Sequence, residues 1–409
     1  MTTNDFSWLD AVLLAVSVSM AFVMLRRRVR DAVFWRATVT PLASIIGSGF
    51  LVVVPLLATV TGSFSLVAIL AVVLLSLWIG DALRYTMVHG DPVPAVPGSR
   101  SARLDRLSDV TLAFAYVISI TFYIRLMGGF VLTGVGAYSP FNANVLATAV
   151  LGFIGVYGWR RGLHGLERLE EYSVTIKLAI IASLLVGLVV HDSRLGYDLS
   201  GLVAPPAGLW EALRQLAGML LIVQGFETSK YLASTYDAPT RARSMVFAQV
   251  LAGVIYVVFV ALSMPLMAQF AGKEPSETAI IDLSRDITVL LPLMLVVAAA
   301  MSQFSAAIAD TIGAGGVAET ESRGRVSARM SYLVIASLAI ALIWTSNIFE
   351  VVALASRAFA GYYLLQAITA AALASRVATG RRRTWLLASY GALAVVMLLI
   401  LVFAVPVAG

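Results

Sequence analysis

Cysteine is absent from the 409 residues, and histidine occurs only three times. Without cysteine there is no disulfide framework, no thiolate metal site and no cysteine nucleophile. The histidines lie in or near predicted loops and far apart in the sequence, which argues against a histidine metal site. A catalytic set such as His-Glu-x-x-His is also missing. The sequence therefore predicts neither an enzyme nor a bound metal or cofactor.

Charged residues are scarce as well. They make up 13% of the chain, whereas hydrophobic residues make up 60% and the mean hydropathy is +0.90. A soluble domain carries about twice that charged fraction. Apolar stretches of about 20 residues, the length that one helix needs to cross a bilayer, recur from the first residues to the last. The composition therefore predicts an all-α polytopic membrane protein that has the lipid bilayer as a partner.

Hydropathy predicts twelve membrane spans, and arginine clusters occupy every second loop between them. By the positive-inside bias, the clusters lie in the cytoplasm, and both termini lie outside the inner (plasma) membrane. The net charge of +6 thus reports orientation and not binding to nucleic acid. The predicted spans are approximately 7–25, 36–60, 64–88, 108–136, 142–159, 170–191, 209–234, 245–270, 288–317, 328–345, 347–374 and 384–406.

The second span contains an interruption. Gly47, Ser48 and Gly49 stand near mid-membrane between apolar residues, and Pro55 follows within two turns. Backbone freed from a helix in hydrocarbon is costly unless it is buried in protein or lines a wet cavity, so such an interruption indicates a binding site. Taken alone, the triplet is equally consistent with small residues that let two helices pack closely.

The seventh span contains a second interruption. Gly225 stands beside Gln224 and close to Glu227, about half-way across the membrane when measured from the cytoplasmic turn at 237–241. Two broken helices separated by about five spans are typical of transporters with inverted repeats, in which the solute is held between the broken segments.

These two segments resemble the motifs of a known family. Ile46-Gly47-Ser48-Gly49-Phe50, followed by Pro55, resembles the first-core-helix signature of the amino acid-polyamine-organocation (APC) permeases. Gly225-Phe226-Glu227, with the Asp-Ala-Pro-Thr-Arg turn at 237–241, is similar to their sixth-core-helix motif and the turn after it. The resemblance covers approximately residues 36–406. It implies the leucine-transporter (LeuT) fold, in which core helices one to five and six to ten form inverted repeats.

The resemblance also implies a division of the chain and a function. An extra N-terminal helix with its basic loop occupies 1–35, the first repeat 36–192, the second repeat 193–375, and a C-terminal helix 376–409. The implied function is secondary active transport of a small amino acid or a related amine or organocation by alternating access, with proton coupling or exchange.

The predicted solute site lies at the two interruptions. The N-terminus of a half-helix exposes unpaired N–H groups, so the backbone around Gly49 suits a carboxylate. Free carbonyl groups near Ile45, Ile46, Val223 and Gln224 suit an ammonium group. In the resembling family an aromatic residue at the position of Phe226 gates the site, although simple packing is an equal alternative. The predicted site residues are Ile45, Ile46, Gly47, Ser48, Gly49, Phe50, Val223, Gln224, Gly225, Phe226 and Glu227.

Lys177 in the sixth span is the predicted coupling residue, together with Ser302 and Ser305 in the ninth. Ionisable residues inside spans are costly and mark functional sites by default. Lys177 matches a lysine that, in some proton-coupled members of the family, takes the place of a sodium ion. This match implies that its ammonium ties core helix five to the first broken helix and releases it on deprotonation. The alternatives are a lysine that snorkels to the surface, and serine hydroxyls that bond their own backbone or hold sodium.

Arg125, Arg357 and Asp310 are further charged residues within predicted spans. Glu227 and Asp310 are candidate partners for the arginines, and either arginine is also a candidate for a solute carboxylate. Two rival functions stay open: a sodium-coupled carrier of the same fold, and a transporter-like sensor or accessory subunit that binds the solute without moving it. A monomer and a homodimer are both compatible with the sequence.

Overall fold

Apolar helices form most of the described chain. The computed structural model describes residues 7–47, 49–90, 100–203, 208–270, 281, 284, 287–345 and 348–405. The α-helices are α1 (Trp8–Met24), α2 (Arg27–Arg30), α3 (Val33–Ile45), α4 (Gly49–Val60), α5 (Ser65–Gly90), α6 (Arg100–Gly134), α7 (Pro140–Leu195), α8 (Gly208–Gly218), α9 (Ala238–Ser263), α10 (Leu291–Glu321), α11 (Ala328–Thr345), α12 (Ile348–Val377) and α13 (Gly380–Phe403). Short 3-10 segments lie at Gly62–Phe64, Met219–Val223, Phe226–Tyr231 and Met264–Phe270.

The helices account for the predicted membrane spans. In the described ranges, eight helices are long and apolar enough to cross a bilayer, and the bent pair α3 and α4 provides a ninth. The helix α7 contains two of the predicted spans. A straight helix of its 56 residues would extend about 84 Å, far more than one crossing of a bilayer needs. The short helix α1 and the broken segment from α8 to Tyr231 cover the remaining two. The prediction of an all-α polytopic membrane protein is confirmed.

The two halves of α7 meet at Gly162. This residue has a φ of 67° and a ψ of −164°, a conformation that glycine adopts readily and residues with a Cβ rarely do. The chain bends sharply here, because Leu166 packs against Gly158, eight residues earlier. In a straight helix these two positions would lie about 12 Å apart. The second half, which carries Lys177, thereby becomes a separate span.

The N-terminal helix α1 is fastened to the second half of α7. The hydroxyl groups of Ser17 and Ser183 lie 2.7 Å apart, and Ser183 donates to the carbonyl oxygen of Leu13 at 2.7 Å. The buried carboxylate of Asp10 accepts a hydrogen bond from the backbone N–H of Leu290, just before α10, at 3.1 Å. This helix is therefore part of the packed bundle.

Large apolar side chains cover the outer surface of the bundle. Val18, Phe22, Leu74, Phe114 and Val402 are all exposed. In water, an apolar surface of this extent would promote aggregation, whereas lipid tails solvate it. The polar residues of the spans are instead gathered inside, around the two helix breaks.

Candidate functional site

The first break separates α3 from α4. Ile46 leaves the helical conformation with a φ of −86° and a ψ of 60°, and the axis of α4 is turned by 41° from that of α3. Gly49 begins α4 and lies against Ile222, since a Cβ at this position would come within 2.6 Å of the Ile222 Cα atom. Ser48, a predicted site residue, lies outside the described residues.

The second break centres on Gly225. Gln224 and Gly225 separate the 3-10 segments Met219–Val223 and Phe226–Tyr231. Gly225 has a φ of 110°, and a Cβ there would collide with the side chain of Ser44 in α3. Glycine is thus required both for the backbone conformation and for the close approach. The two breaks pack directly against each other.

Tyr256 of α9 links the two breaks through its hydroxyl group. The hydroxyl oxygen lies 3.1 Å from the carbonyl oxygen of Ile45 and 2.9 Å from that of Ile222. Tyr256 is fully buried, and its ring packs against Phe50, which also stacks on Phe259. One buried side chain therefore stabilises the non-helical backbone of both segments.

Protein donors occupy several carbonyl groups that the sequence predicts to be free, and this part of the prediction is wrong. The carbonyl oxygen of Ile45 lies within hydrogen-bond distance of the Tyr256 hydroxyl, and that of Val223 accepts from Ser76 at 3.3 Å. The carbonyl oxygen of Ile46 accepts from two side chains described below. The physical reason is that an unpaired carbonyl group in a membrane interior costs several kcal/mol, so neighbouring helices supply donors.

Two side-chain oxygens near the second break lack partners among the described residues. Oε1 of Gln224 and Oε1 of Glu227 are buried, and neither accepts a hydrogen bond from the part of the chain that the structure describes. Gln224 donates to the hydroxyl of Tyr123 at 3.1 Å. The other carboxyl oxygen of Glu227 accepts from the N–H of Gly225 at 2.9 Å and from the hydroxyl of Tyr363 at 2.8 Å. Buried polar atoms without partners call for a ligand or water.

Phe226 stacks on Tyr363 of α12. Their ring centroids lie 5.5 Å apart with an interplanar angle of 12°. Phe226 is only 1% exposed, so it closes off this side of the second break. A packing role and a gating role are both compatible with this position.

Lys177 joins α7 to the end of α3. Its Nζ atom donates to the carbonyl oxygens of Ala43 at 2.8 Å and Ile46 at 2.6 Å, and to Oγ of Ser305 at 2.8 Å. The Ser302 hydroxyl, which has one O–H to donate, lies 2.7 Å from the carbonyl oxygen of Ile46 and 2.9 Å from that of Gly47. An ammonium group has three N–H donors, so these three acceptors satisfy it fully. The lysine and both serines thus meet at the first break.

Asp310 of α10 lies on the other side of Ser44. Its carboxyl group is fully buried and accepts from Ser44 at 2.9 Å and from Ser119 of α6. Asp310 therefore connects α3, α6 and α10. Of the two arginines predicted within spans, Arg125 is partly buried in α6, whereas Arg357 is exposed on α12 and lies outside this group.

Comparisons with known proteins agree with this geometry. A family model described as an APC superfamily transporter matches residues 27–404. This chain belongs to the APC superfamily. An uncharacterized protein from Aquifex aeolicus (strain VF5) is 41% identical to the APC transporter over 377 residues, covering 90% of each chain.

Two solved structures share the fold of the APC transporter. MhsT, crystallised in complex with L-phenylalanine, aligns with a TM-score of 0.65 at 14% identity, over 90% of this chain and 98% of MhsT. A mutant of the manganese transporter of Eremococcus coleocola aligns with a TM-score of 0.55 at 13% identity, over 90% of this chain and 86% of that protein. The predicted LeuT-like fold is confirmed. The APC transporter is a multi-pass secondary transporter, and its family and fold are those of transporters and not of enzymes.

Polar contacts join the helices at one end of the APC transporter, the arginine-rich end, which carries Arg36 and the arginines of α2. Arg36 of α3 forms an ion pair of 2.9 Å with Glu167 of α7, which also accepts from the hydroxyl of Tyr236 at 3.0 Å. Lys230, in the second broken segment, lies 3.6 Å from Asp109 of α6. Both broken helices are thus joined to α6 and α7 at this end.

Sequence reasoning does not single out Tyr256, Ser44, Tyr363 or Glu170, although each contributes to the site or to its surroundings. All four are polar residues in apolar spans, and the rule that polar groups inside a membrane mark functional positions applies to hydroxyl groups as well as to charges. Applied to every hydroxyl in a span, the rule would have drawn attention to Tyr256, Ser44 and Tyr363, and applied to every carboxyl group it would have drawn attention to Glu170.

Proposed function

We propose that this APC transporter carries a small amino-acid-like solute or a related amine by alternating access, with the solute at the two breaks and a proton at Lys177. The observation that carries the proposal is the position of the Lys177 ammonium, which is hydrogen-bonded to Ala43, Ile46 and Ser305. Carbonyl and hydroxyl oxygens of this kind also bind monovalent cations. In this proposal the ammonium group takes the place that a sodium ion has in sodium-coupled carriers of the same fold, as the resemblance implies.

The number of hydrogen bonds explains how a proton would control the first break. A neutral amine keeps only two N–H donors, so deprotonation of Lys177 would remove one of its three hydrogen bonds. A hydrogen bond from a charged donor contributes about 1.5–3 kcal/mol. Loss of the proton would thus weaken the link between α7 and α3 and favour movement of α3.

The polar groups at the breaks favour a zwitterion. The unpartnered oxygens of Gln224 and Glu227 suit an ammonium group, and the N-terminus of α4 at Gly49 suits a carboxylate. The amino acid bound to MhsT, a protein of similar fold, supports the same class of solute. Because a manganese transporter has a similar fold, Mn²⁺ serves as the control ligand in the binding screen described below.

The contacts at the arginine-rich end support alternating access. Arg36 and Lys230 belong to the two broken segments, and their acidic partners Glu167 and Asp109 belong to α7 and α6. Polar pairs such as these can separate and re-form more readily than interdigitated apolar side chains. Their separation would open the breaks toward the cytoplasm.

A binding screen followed by uptake into proteoliposomes tests the proposal. The purified protein is screened by thermal shift against amino acids, amines, polyamines and Mn²⁺, because a bound ligand stabilises the folded state. Uptake of the best ligand is then measured with an inward proton gradient or an inward sodium gradient, in the wild type and in Lys177→Ala.

Each outcome of the uptake assay has a separate meaning. We expect accumulation that is driven by protons, is independent of sodium and is lost in Lys177→Ala. Accumulation that requires sodium and survives Lys177→Ala would support the sodium-coupled rival. Binding without accumulation would support the sensor or accessory subunit. The Ser183→Ala variant, altered on the same helix away from the breaks, serves as the control.

A further inference from the structure

Ionisable residues form a row along the second half of α7. Glu167, Glu170 and Lys177 are separated by three and seven residues, which places them on one face of the helix. Glu167 is 7% exposed, whereas Glu170 and Lys177 are fully buried. The row therefore leads from the arginine-rich end of the bundle to the first break.

The neighbouring helix α3 brings Glu170 and Lys177 close together. Thr40 donates to Oε2 of Glu170 at 2.7 Å, and the carbonyl oxygen of Ala43 accepts from Lys177 at 2.8 Å. These two contact points are three residues apart on α3, which corresponds to about 4.5 Å along the axis. The Glu170 carboxyl group and the Lys177 ammonium group therefore contact positions on α3 that lie less than one helical turn apart.

A cavity lies at the outer end of the row. It has a volume of about 580 Å³ and is lined by Arg36, Val39, His164 and Glu167, among others. Glu170 follows Glu167 by about one helical turn, and its Oε1 atom is buried and has no hydrogen-bond partner among the residues that the structure describes. Along α7, Glu170 thus stands between the cavity and Lys177.

Titratable groups on several elements act electrostatically on Glu170. These groups are Glu167 and Lys177 on α7, Asp310 on α10, Tyr236 after the second break and Tyr332 on α11. Lys177 is the cation among them, and the others are acids or phenols. Glu170 and Lys177 are therefore two buried titratable groups that influence each other electrostatically, and Glu167, three residues before Glu170, lines the cavity.

We propose that Glu170 relays the transported proton from Lys177 to the cytoplasmic cavity. The proton leaves the Lys177 ammonium and is taken up, through intervening water, by the Glu170 carboxylate, which leaves a neutral amine and a carboxylic acid. The acid then passes this proton to water in the cavity near Glu167 and becomes a carboxylate again. The first transfer replaces two buried charges by two neutral groups, which a low-dielectric interior favours.

This inference rests on the proposed function, because it assumes that Lys177 carries the proton. The Glu170→Gln variant separates a relay from a structural role, since the amide oxygen still accepts from Thr40 but the side chain cannot carry a proton. The assay uses L-phenylalanine, or the strongest ligand of the binding screen, in proteoliposomes. Proton-driven accumulation is compared with solute exchange at equal pH, which requires no net release of protons.

We expect Glu170→Gln to lower proton-driven accumulation by about a hundredfold or more, the range of positioned proton-transfer groups, and to leave exchange unchanged. The Asp192→Asn control, altered at a buried carboxyl group beyond Lys177, should behave like the wild type. Full proton-driven accumulation in Glu170→Gln, combined with loss in Lys177→Ala, would overturn the relay and leave the proposed function intact. No loss in either variant would overturn both.

A second measurement needs no transported solute. Infrared difference spectra of the reconstituted protein, recorded as the pH is changed, detect carboxylic acid groups that gain or lose a proton. We expect a carbonyl band that is absent in Glu170→Gln and that titrates in a different pH range in Lys177→Met. Identical spectra for the wild type and Glu170→Gln would show that Glu170 does not change its protonation, and would overturn the proposal. If Glu170→Gln does not fold, Glu170→Asp is used instead. We expect the carbonyl band to persist and to shift in this variant. An unshifted band would contradict the proposal.

Discussion

The Nζ atom of Lys177 lies 2.6 Å from the carbonyl oxygen of Ile46, the residue at which α3 loses its helical conformation. The lysine belongs to the uninterrupted second half of α7 and the carbonyl group to a broken helix. In the proposed function, this hydrogen bond links the position of the broken helix to the protonation of Lys177.

Lys177→Arg is expected to bind solute but not to accumulate it. Arginine keeps its positive charge at every accessible pH, so the link to α3 cannot be released by deprotonation. Uptake driven by a proton gradient should fall to background, whereas ligand-induced thermal stabilisation should persist. Normal uptake by this variant would show that the lysine need not lose its proton.

Gly225→Ala is expected to abolish solute binding. An alanine would adopt the left-handed conformation at a cost of about 1–2 kcal/mol and would also collide with Ser44. The control is Gly136→Ala, since Gly136 has a φ of 69° but no atom within 4 Å of a Cβ at that position. Both variants carry the conformational cost, and only Gly225→Ala should lose binding in the thermal-shift assay. Equal behaviour of the two would argue against close contact between the breaks.

Tyr256→Phe is expected to destabilise both breaks. The substitution removes the hydroxyl that lies near the carbonyl oxygens of Ile45 and Ile222, and a buried acceptor left without a donor costs about 1–3 kcal/mol. The measurement is the midpoint of thermal unfolding, together with the affinity for the solute. Tyr197→Phe, which removes a hydroxyl bonded to a backbone carbonyl at a more exposed position, is the matched control. Unchanged stability and affinity in Tyr256→Phe would contradict the bridging role.

Arg36→Ala is expected to open the first break to the cytoplasm. The substitution removes the ion pair with Glu167, which holds α3 against α7. Because the chain contains no cysteine, a single Ala43→Cys substitution provides a specific probe of accessibility. Labelling of this cysteine by a membrane-impermeant thiol reagent, applied from the cytoplasmic side, should be faster in the Arg36→Ala background. Equal labelling rates would mean that the pair does not hold this end closed.

The positions of the breaks could be predicted from the sequence, but the fate of their carbonyl groups could not. Gly47, Gly49 and Gly225 have poor helix propensity in otherwise apolar spans, and this signal is local. The donor at Ile45 comes from Tyr256, 211 residues away, and depends on how the helices pack. No local pattern reports such a pairing.

The same contrast applies to the charged residues. The sequence predicted that Lys177 is important because a lysine inside a span is costly, and the resemblance indicated its partner helix. The pairing of Asp310 with Ser44 and Ser119 involves three helices, so only the assembled bundle reveals it. The exposed position of Arg357 likewise depends on which face of α12 packs inward.

The most direct test of where the solute binds is a structure determined with the bound solute. We predict density between the two breaks, with the solute amine within hydrogen-bond distance of the Gln224 or Glu227 side-chain oxygens and its carboxylate at the N-terminus of α4. Density elsewhere, for example in the cavity beside Glu167, with both breaks still packed against each other, would contradict this prediction.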